Sequence, residues 1–269
     1  MLIFAAMKPV EHQLFDRTER LVGHEAMERI ASARVIIFGV GGVGGWVAES
    51  LVRSGVRRLT IVDSDRVEAS NVNRQAPATS STIGTVKVKA MKLRLLDINP
   101  QAEVEAIADV YDRAHAASYR LDEYDYVIDA IDSLQCKADL ILHATSLPSH
   151  VKFFSSMGAA LKMDPTQIRV DEFWNAKGCP LARALRQKFK RAKMFPRRKF
   201  RVVYSPELLS NRGEVPADDT SGADQQVASD AADWHAQKVH VNGTVAHTTA
   251  IFGFTLAGLV IQDIVARTL

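Results

Sequence analysis

The stretch that decides the fold is Arg34-Val35-Ile36-Ile37-Phe38-Gly39-Val40-Gly41-Gly42-Val43-Gly44. A β-branched run ends in closely spaced glycines, and the residues from Trp46 to Ser54 then recur at helical spacing. The order is strand, tight loop, helix, which turns backbone N–H groups and a helix N-terminus toward a phosphate. Taken alone, the Gly39-x-Gly41-x-x-Gly44 spacing serves an ATP enzyme and an NAD(H) dehydrogenase equally, and it also serves glycines that only let a helix pack closely on a strand.

Further along, Leu59-Thr60-Ile61-Val62 forms a second apolar run that ends in Asp63, and Thr85 to Ile98 reads as a helix stopped by Asn99-Pro100. Tyr126-Val127-Ile128-Asp129 is a third run, and Val151 to Ser155 is a fourth, closed by Met157-Gly158-Ala159-Ala160. Strands alternating with helices predict an α/β fold with a doubly wound, mainly parallel sheet whose functional loops lie at the carboxyl ends of the strands.

From Gln167 the pattern changes. Leu181 to Arg201 holds ten Lys/Arg and no acid, whereas Ser205 to Trp234 holds seven acids and one arginine. Asp218 to Asp224 reads as a mobile acidic loop. These shifts predict a core over residues 1–163, a smaller appended basic lobe with its acidic loop over 164–242, and an apolar C-terminal helix over 243–269 that returns to the core. Gly243 to Gln262 carries no charged residue, but His247, four threonines and three glycines dilute it, so a buried or dimer-packing helix is expected in place of a membrane span. Met1 to Met7 reads as a loose terminus. The two cysteines, Cys136 and Cys179, are too few for a disulfide framework or a four-cysteine zinc site and fit a reducing cytoplasm.

The candidate chemistry lies at the strand ends. Asp63 suits a ribose-hydroxyl acceptor. Asn71-Val72-Asn73-Arg74-Gln75 and Lys87 bring two cations and an amide, which suit a triphosphate because charge must be neutralised at the α-phosphate and the leaving pyrophosphate. A dehydrogenase has no need of that pair, although Lys87, like Lys89 and Lys92, also fits a solvated helix charge. Asp132 is placed for a Mg²⁺ ion held against phosphates. Asp129, nearer the strand, reads as a partly buried structural acid that accepts hydrogen bonds from loop amides.

Together, Gly-x-Gly-Gly-Val-Gly, Asp63, Asn71-x-x-Arg74-Gln75, Lys87 and Asp129-x-x-Asp132-Ser133 resemble the E1-like adenylating enzymes. The resemblance implies a Rossmann-like, E1-type ATP-binding fold. It implies that Gly39, Gly41, Gly42 and Gly44 cradle ATP, that Asp63 holds the ribose, that Asn71, Arg74 and Lys87 hold the phosphates and that Asp132 holds Mg²⁺. Phe15-Asp16-Arg17-Thr18-Glu19-Arg20-Leu21 resembles the helix from which an arginine enters the partner subunit's site. That implies a homodimer with Arg17 acting across it and Arg20 in reserve.

Relatives that activate ubiquitin-like or sulfur-carrier proteins usually hold zinc with paired cysteines, which this chain lacks. The chain resembles a narrower branch, the tRNA threonylcarbamoyladenosine dehydratases, through Phe15 to Gly23, Gly158 to Ile168, Pro180-Leu181-Ala182-Arg183 and Val202 to Glu207. A cysteine that some members carry ahead of the C-terminal helix has no counterpart among Lys238, Val239, His240 and Asn242. The implied reaction is ATP-dependent cyclisation of threonylcarbamoyladenosine in tRNA through an adenylated carboxylate. The alternative is activation of a small sulfur carrier, and a sulfur-transfer or cysteine-desulfurase-type partner fits either. Independently, Leu181, Leu185 and Phe189 give the basic helix an apolar face. Arg183, Arg186, Lys190 and Arg191, followed by Arg197, Arg198 and Lys199, form a surface suited to RNA phosphates.

Overall fold

The computed structural model describes residues 9–213 and 242–267. The acidic loop from Asp218 to Asp224 and the terminal stretch Met1 to Met7 lie outside the described residues. The chain begins with two helices, α1 (Pro9–Val22) and α2 (His24–Ser32), joined at Gly23, whose φ of 86° lets the chain turn between them. The nucleotide-type core follows as β1 (Arg34–Phe38), α3 (Gly44–Arg53), β2 (Arg58–Val62), α4 (Lys87–Ile98), β3 (Glu103–Ile107), β4 (Tyr126–Asp129), α5 (Leu134–Ser146) and β5 (Lys152–Ser156). Then come β6 (Arg169–Glu172), α6 (Pro180–Ala192), β7 (Arg201–Tyr204) and α7 (Ala246–Ala266).

The strands form one seven-stranded sheet in the order β3-β2-β1-β4-β5-β7-β6. All neighbours are parallel except β6 and β7, which pair antiparallel at the edge. β1, β4 and most of β2 and β5 are buried on both faces, as parallel strands covered by helices must be. Val35 and Ile37 pack with α3, α4 and α7 on one face, and Ile36 and Phe38 pack with α5 and α6 on the other. β3 escapes a sequence reading because Glu103-Val104-Glu105 alternates acid and apolar like a solvated edge, and that reading likewise assigns no strand to Arg201–Tyr204, which forms β7. Residues 169–204, marked by charge as a lobe, extend this same sheet by two strands, and α6 buries Leu181, Ala182, Leu185 and Phe189 in the core beside α5.

α7 is long and apolar enough to cross a membrane, yet half of its most apolar window is buried inside the protein. It lies against α3, with Phe252, Leu256 and Val260 in the same core as Val47 and Leu51. The contact is close because Gly253 has no side chain: a Cβ there would stand 2.7 Å from both Val43 O and Trp46 Cβ. Gly253→Ala is therefore expected to cost about 1–3 kcal/mol, read as a fall in melting temperature of about 2–4 °C per kcal/mol. Gly258→Ala on the same helix meets nothing within 4 Å and should melt at or slightly above the parent. Equal melting of the two variants would overturn the close-contact account.

Candidate active site

β1 pairs with β2 on one side and β4 on the other, so the chains leaving β1 and β4 turn apart and open a crevice at the switch point. Gly39 ends β1 with a φ of 86°, its N–H donating to Val62 O at 2.8 Å, while Ala130 N–H donates to Phe38 O at 2.8 Å. A Cβ on Gly39 would lie 2.6 Å from Ala130 O, and one on Gly44 would lie 1.8 Å from Gly39 O. These two glycines are required by backbone contact. Gly41 and Gly42 differ: a Cβ at Gly41 would meet only the Gln75 side chain, at 3.8 Å, and one at Gly42 would meet Thr249 at 3.3 Å and Arg74 at 3.5 Å. They line the open side, where a ligand can approach the backbone.

Asp63, just past β2, braces the loop. Its Oδ2 accepts from Val40 N–H at 2.7 Å and its Oδ1 from Asp65 N–H at 2.9 Å. A carboxylate has about four lone-pair positions, so capacity remains for a hydroxyl donor. Lys87 opens α4 and is only 4% exposed. Its Nζ stands 3.0 Å from Asp65 Oδ2 and 3.6 Å from Asp63 Oδ1. Lys87 is thus a buried, acid-paired cation, unlike the exposed Lys89.

A 3₁₀ turn over Ala69–Asn71 presents the amide and arginine. The Asn71 Oδ1 accepts from Glu68 N–H at 3.2 Å, and its Nδ2 donates to Ser70 Oγ at 3.3 Å. Arg74 Nη1 donates to Ser70 O at 2.9 Å and to Asn73 Oδ1 at 2.8 Å, both uncharged partners. Trp46 Nε1 donates to Arg74 O at 3.0 Å, and Asn73 Nδ2 to Thr244 O at 3.0 Å, which tie this turn to α3 and to the approach to α7. Gln75, to which the sequence reading gave no role of its own, is 9% exposed with its Oε1 buried and unpartnered. A buried orphan acceptor costs about 1–3 kcal/mol; the polar atom of the same side chain that faces Gly41 is Nε2, 3.8 Å from where a Cβ would stand.

Beyond β4, Asp129 is fully buried. Its Oδ1 accepts from Ile131 N–H at 3.1 Å, and its Oδ2 accepts from Ser155 Oγ at 2.6 Å and from Lys137 Nζ at 2.8 Å. Lys137 is equally buried and also donates to Ile131 O at 2.9 Å, so the pair fixes the loop that carries Asp132. Sequence reasoning found the acid and missed the lysine, whose place at the second turn of α5 was its only signal. Asp132 itself is exposed. Among the described residues no three acids, histidines or cysteines gather as a metal site. A lone carboxylate beside a phosphate cradle still fits Mg²⁺, which is usually held by one or two carboxylates plus substrate phosphates and water.

Arg17 is exposed on α1, and Arg20 is paired with Asp16 at 3.0 Å. Phe15 reaches within 3.8 Å of the Cβ position of Gly55, past the C-terminal end of α3. The length of α3, about 15 Å for ten residues, thus separates Arg17's neighbourhood from its own glycine loop. On the basic face, Arg183, Lys190, Arg191, Arg197 and Lys199 are exposed. Two of the cations expected to face RNA also bind the fold. Arg186 Nη1 donates to Phe173 O at 3.1 Å and Ala176 O at 2.9 Å. Arg198 donates to Pro148 O at 3.1 Å, Ala144 O at 3.0 Å and Val151 O at 2.5 Å, closing the end of α5. One guanidinium nitrogen of Arg186 and two of Arg198 are thus engaged by backbone carbonyls. Cys179 is buried as the N-cap of α6, and Cys136 is half-buried.

Removing Lys137 leaves the buried Asp129 carboxylate without its cation. Lys137→Met is expected to cost about 3–5 kcal/mol in chemical denaturation. Asp129→Asn combined with Lys137→Met should recover part of that loss. A double variant that is additive would show the two residues to be uncoupled.

Residues 15–268 match the ThiF family pattern. A tRNA threonylcarbamoyladenosine dehydratase of Bacillus subtilis is 34% identical over 94% of this chain and 94% of its own length. One from Haemophilus influenzae is 32% identical over 95% and 94%. The crystal structure of the Escherichia coli tRNA N6-threonylcarbamoyladenosine dehydratase in complex with ATP superposes with a TM-score of 0.80 at 30% identity, covering 98% of each chain. The likeness covers nearly the whole length of each chain, and the chain belongs to the ThiF family.

Proposed function

We propose that this chain is an ATP-dependent tRNA threonylcarbamoyladenosine dehydratase, which cyclises the modified adenosine through its adenylated carboxylate. What carries the reading is likeness to enzymes so named over nearly the full length of both chains, together with a structural match to one that binds ATP. ATP supplies the activation: the threonyl carboxylate takes up AMP as pyrophosphate leaves, and ring closure within the substrate expels AMP. The reaction needs no protein nucleophile, which agrees with a buried Cys179 and an unpaired, half-buried Cys136.

The protein's part is positioning and charge neutralisation. Gly39 and Gly44 hold the loop's shape, Gly41 and Gly42 leave room for phosphates, and the spare acceptor capacity of Asp63 takes a ribose hydroxyl. Arg74 pairs with neutral groups only, and its charge is available to phosphate. Lys87 rests between Asp63 and Asp65, and Asp65, which is largely exposed, can be solvated when the ammonium turns to an arriving anion. Asn71 and Gln75 add amide groups, and Asp132 would hold Mg²⁺. Because Arg17 lies away from its own glycine loop, we assign it to the partner's site in a homodimer. Arg183, Lys190, Arg191, Arg197 and Lys199 make the tRNA surface. Cyclisation transfers no sulfur, so any sulfur-transfer or cysteine-desulfurase-type partner would act outside the chemical step. Two free cysteines suit a cytoplasmic enzyme.

Arg74→Ala and Lys87→Ala are each expected to lower kcat/KM about 10²–10³-fold, and Asp132→Ala to abolish Mg²⁺-dependent turnover, measured by mass spectrometry of nucleosides from treated tRNA. Normal cyclisation by Asp132→Ala would refute the metal role. Stimulation of ATP–pyrophosphate exchange by a Gly-Gly-ended carrier protein, and not by the modified tRNA, would replace the dehydratase with a carrier activator. An Arg17→Ala subunit mixed with an Asp132→Ala subunit should regain partial activity, since one of the two sites in the heterodimer is then intact. Absence of rescue would count against action across the dimer.

A further inference from the structure

The end of α6 carries an exposed aromatic pair that the ATP chemistry does not use. Phe195 is 51% exposed and Trp174 37%, with ring centroids 6.2 Å apart and planes inclined by 41°. The pair is rigidly backed: Trp174 meets the buried Phe173 edge-on at 5.2 Å, and Phe173 stacks on Phe200 at 5.0 Å. Trp174 N–H is held by Glu172 Oε2 at 3.0 Å. Phe195 is placed by the helix end, where Lys193 takes the left-handed conformation with φ 52° and Met194 N–H donates to Phe189 O at 3.1 Å. A left-handed C-terminal residue is usually glycine. Here a lysine bears the strain and keeps its charge beside the rings.

The surroundings are cationic. Lys193 and Arg197 flank Phe195 two residues away on either side, Lys199 follows, and all three are exposed. Glu172 and Asp171 lie on the Trp174 side, with Glu172 engaged by the Trp174 amide and Asp171 by Asn175. Arg183, Gln187, Lys190 and Arg191 recur at helical spacing on the exposed face of α6. That helix starts beside the loop after β5, where a Cβ on Gly158 would stand 3.6 Å from Leu181 Cβ, and is about 20 Å long for its 13 residues. Its exposed cations therefore run from the nucleotide-binding end of the sheet to the aromatic pair.

We propose that Trp174 and Phe195 are a stacking site for an unpaired base of the RNA substrate, with Lys193, Arg197 and Lys199 on the adjoining phosphates. The proposal rests on the reading of tRNA as substrate. Exposed aromatic faces among cations bind unpaired bases by stacking, largely without sequence preference, whereas a protein-docking patch is expected to be poor in lysine.

The test is tRNA binding and steady-state kinetics with the full chain, using threonylcarbamoyladenosine-bearing tRNA over a series of salt concentrations. Trp174→Ala and Phe195→Ala should each weaken binding about tenfold or more with an unchanged salt slope, KM for ATP and kcat at saturating tRNA. Trp174→Phe should retain most of the affinity and lose the share of tRNA-induced quenching that Trp174 contributes, with Trp46 and Trp234 still emitting. Arg197→Ala with Lys199→Ala should lower the salt slope by about two. Parent-like affinity in both alanine variants, with tRNA bound by the parent, overturns the stacking site and leaves the dehydratase reading standing. A parent that binds no tRNA overturns that reading itself. Loss of self-association in the alanine variants, seen by light scattering with tRNA affinity intact, assigns the patch to a second copy of the chain and overturns the proposal.

Discussion

The close approach of two backbones at the end of β1 is the constraint on which the rest of the site depends. Gly39 must pass Ala130 O at a distance no side chain allows, and Gly44 must pass Gly39 O more closely still. Because β1 hydrogen-bonds to β2 and β4 at once, its exit can go to neither side, and the chain doubles back over its own end into α3. The loop that results packs Gly39 against the Ala130 carbonyl and Gly44 against the Gly39 carbonyl, and its amides need acceptors. Asp63 supplies one at Val40. The buried acid then requires a cation, which α4 supplies as Lys87 at its first position. Glycine loop, strand-end acid and helix-start lysine are one electrostatic unit distributed over three elements.

A second unit of the same kind supports the facing wall. Asp129 ends β4 with no exposure, and a carboxylate so placed is costly unless paired and hydrogen-bonded. Lys137, Ser155 and Ile131 N–H satisfy it together. The two acids look alike in sequence, each following a run of β-branched residues. Their partners separate them: Asp129 has no exposure and pairs with the fully buried Lys137 at 2.8 Å, while Asp63, its side chain 9% exposed, stands 3.6 Å from Lys87, which also reaches the exposed Asp65. Asp129 is the last residue of β4 and Asp63 the first past β2, and they differ most in their neighbours.

That difference sets how much could be read in advance. β1, β2, β4 and β5 were legible because strands buried on both faces are continuous apolar runs, and the glycines were legible because backbone contact permits nothing larger. β3, with acids on alternate positions, carries no such signal. Gln75 stood in a quoted motif, but that its Oε1 would be buried and unpartnered depends on how the turn after Asn71 packs under Gly41. Lys137 lay in plain view on α5, yet its pairing depends on the pitch that brings the second helical turn over the end of β4.

The basic helix shows the limit most clearly, because a sequence counts charges and a structure counts donors. Arg186 and Arg198 were grouped with the RNA-facing cations by their place in an acid-free run, yet each directs its guanidinium at backbone carbonyls. Carbonyl partners use up hydrogen bonds and leave charge unneutralised. Both arginines therefore still contribute to the positive field over α6, which steers a polyanion at distances up to roughly a Debye length of about 8 Å in physiological salt. In the proposed tRNA reading, contact with phosphate falls to Arg183, Lys190, Arg191, Arg197 and Lys199, which are exposed. Removing an exposed cation and removing a braced one would thus both weaken the field, and only the second would also loosen the end of α5 or the Phe173 turn.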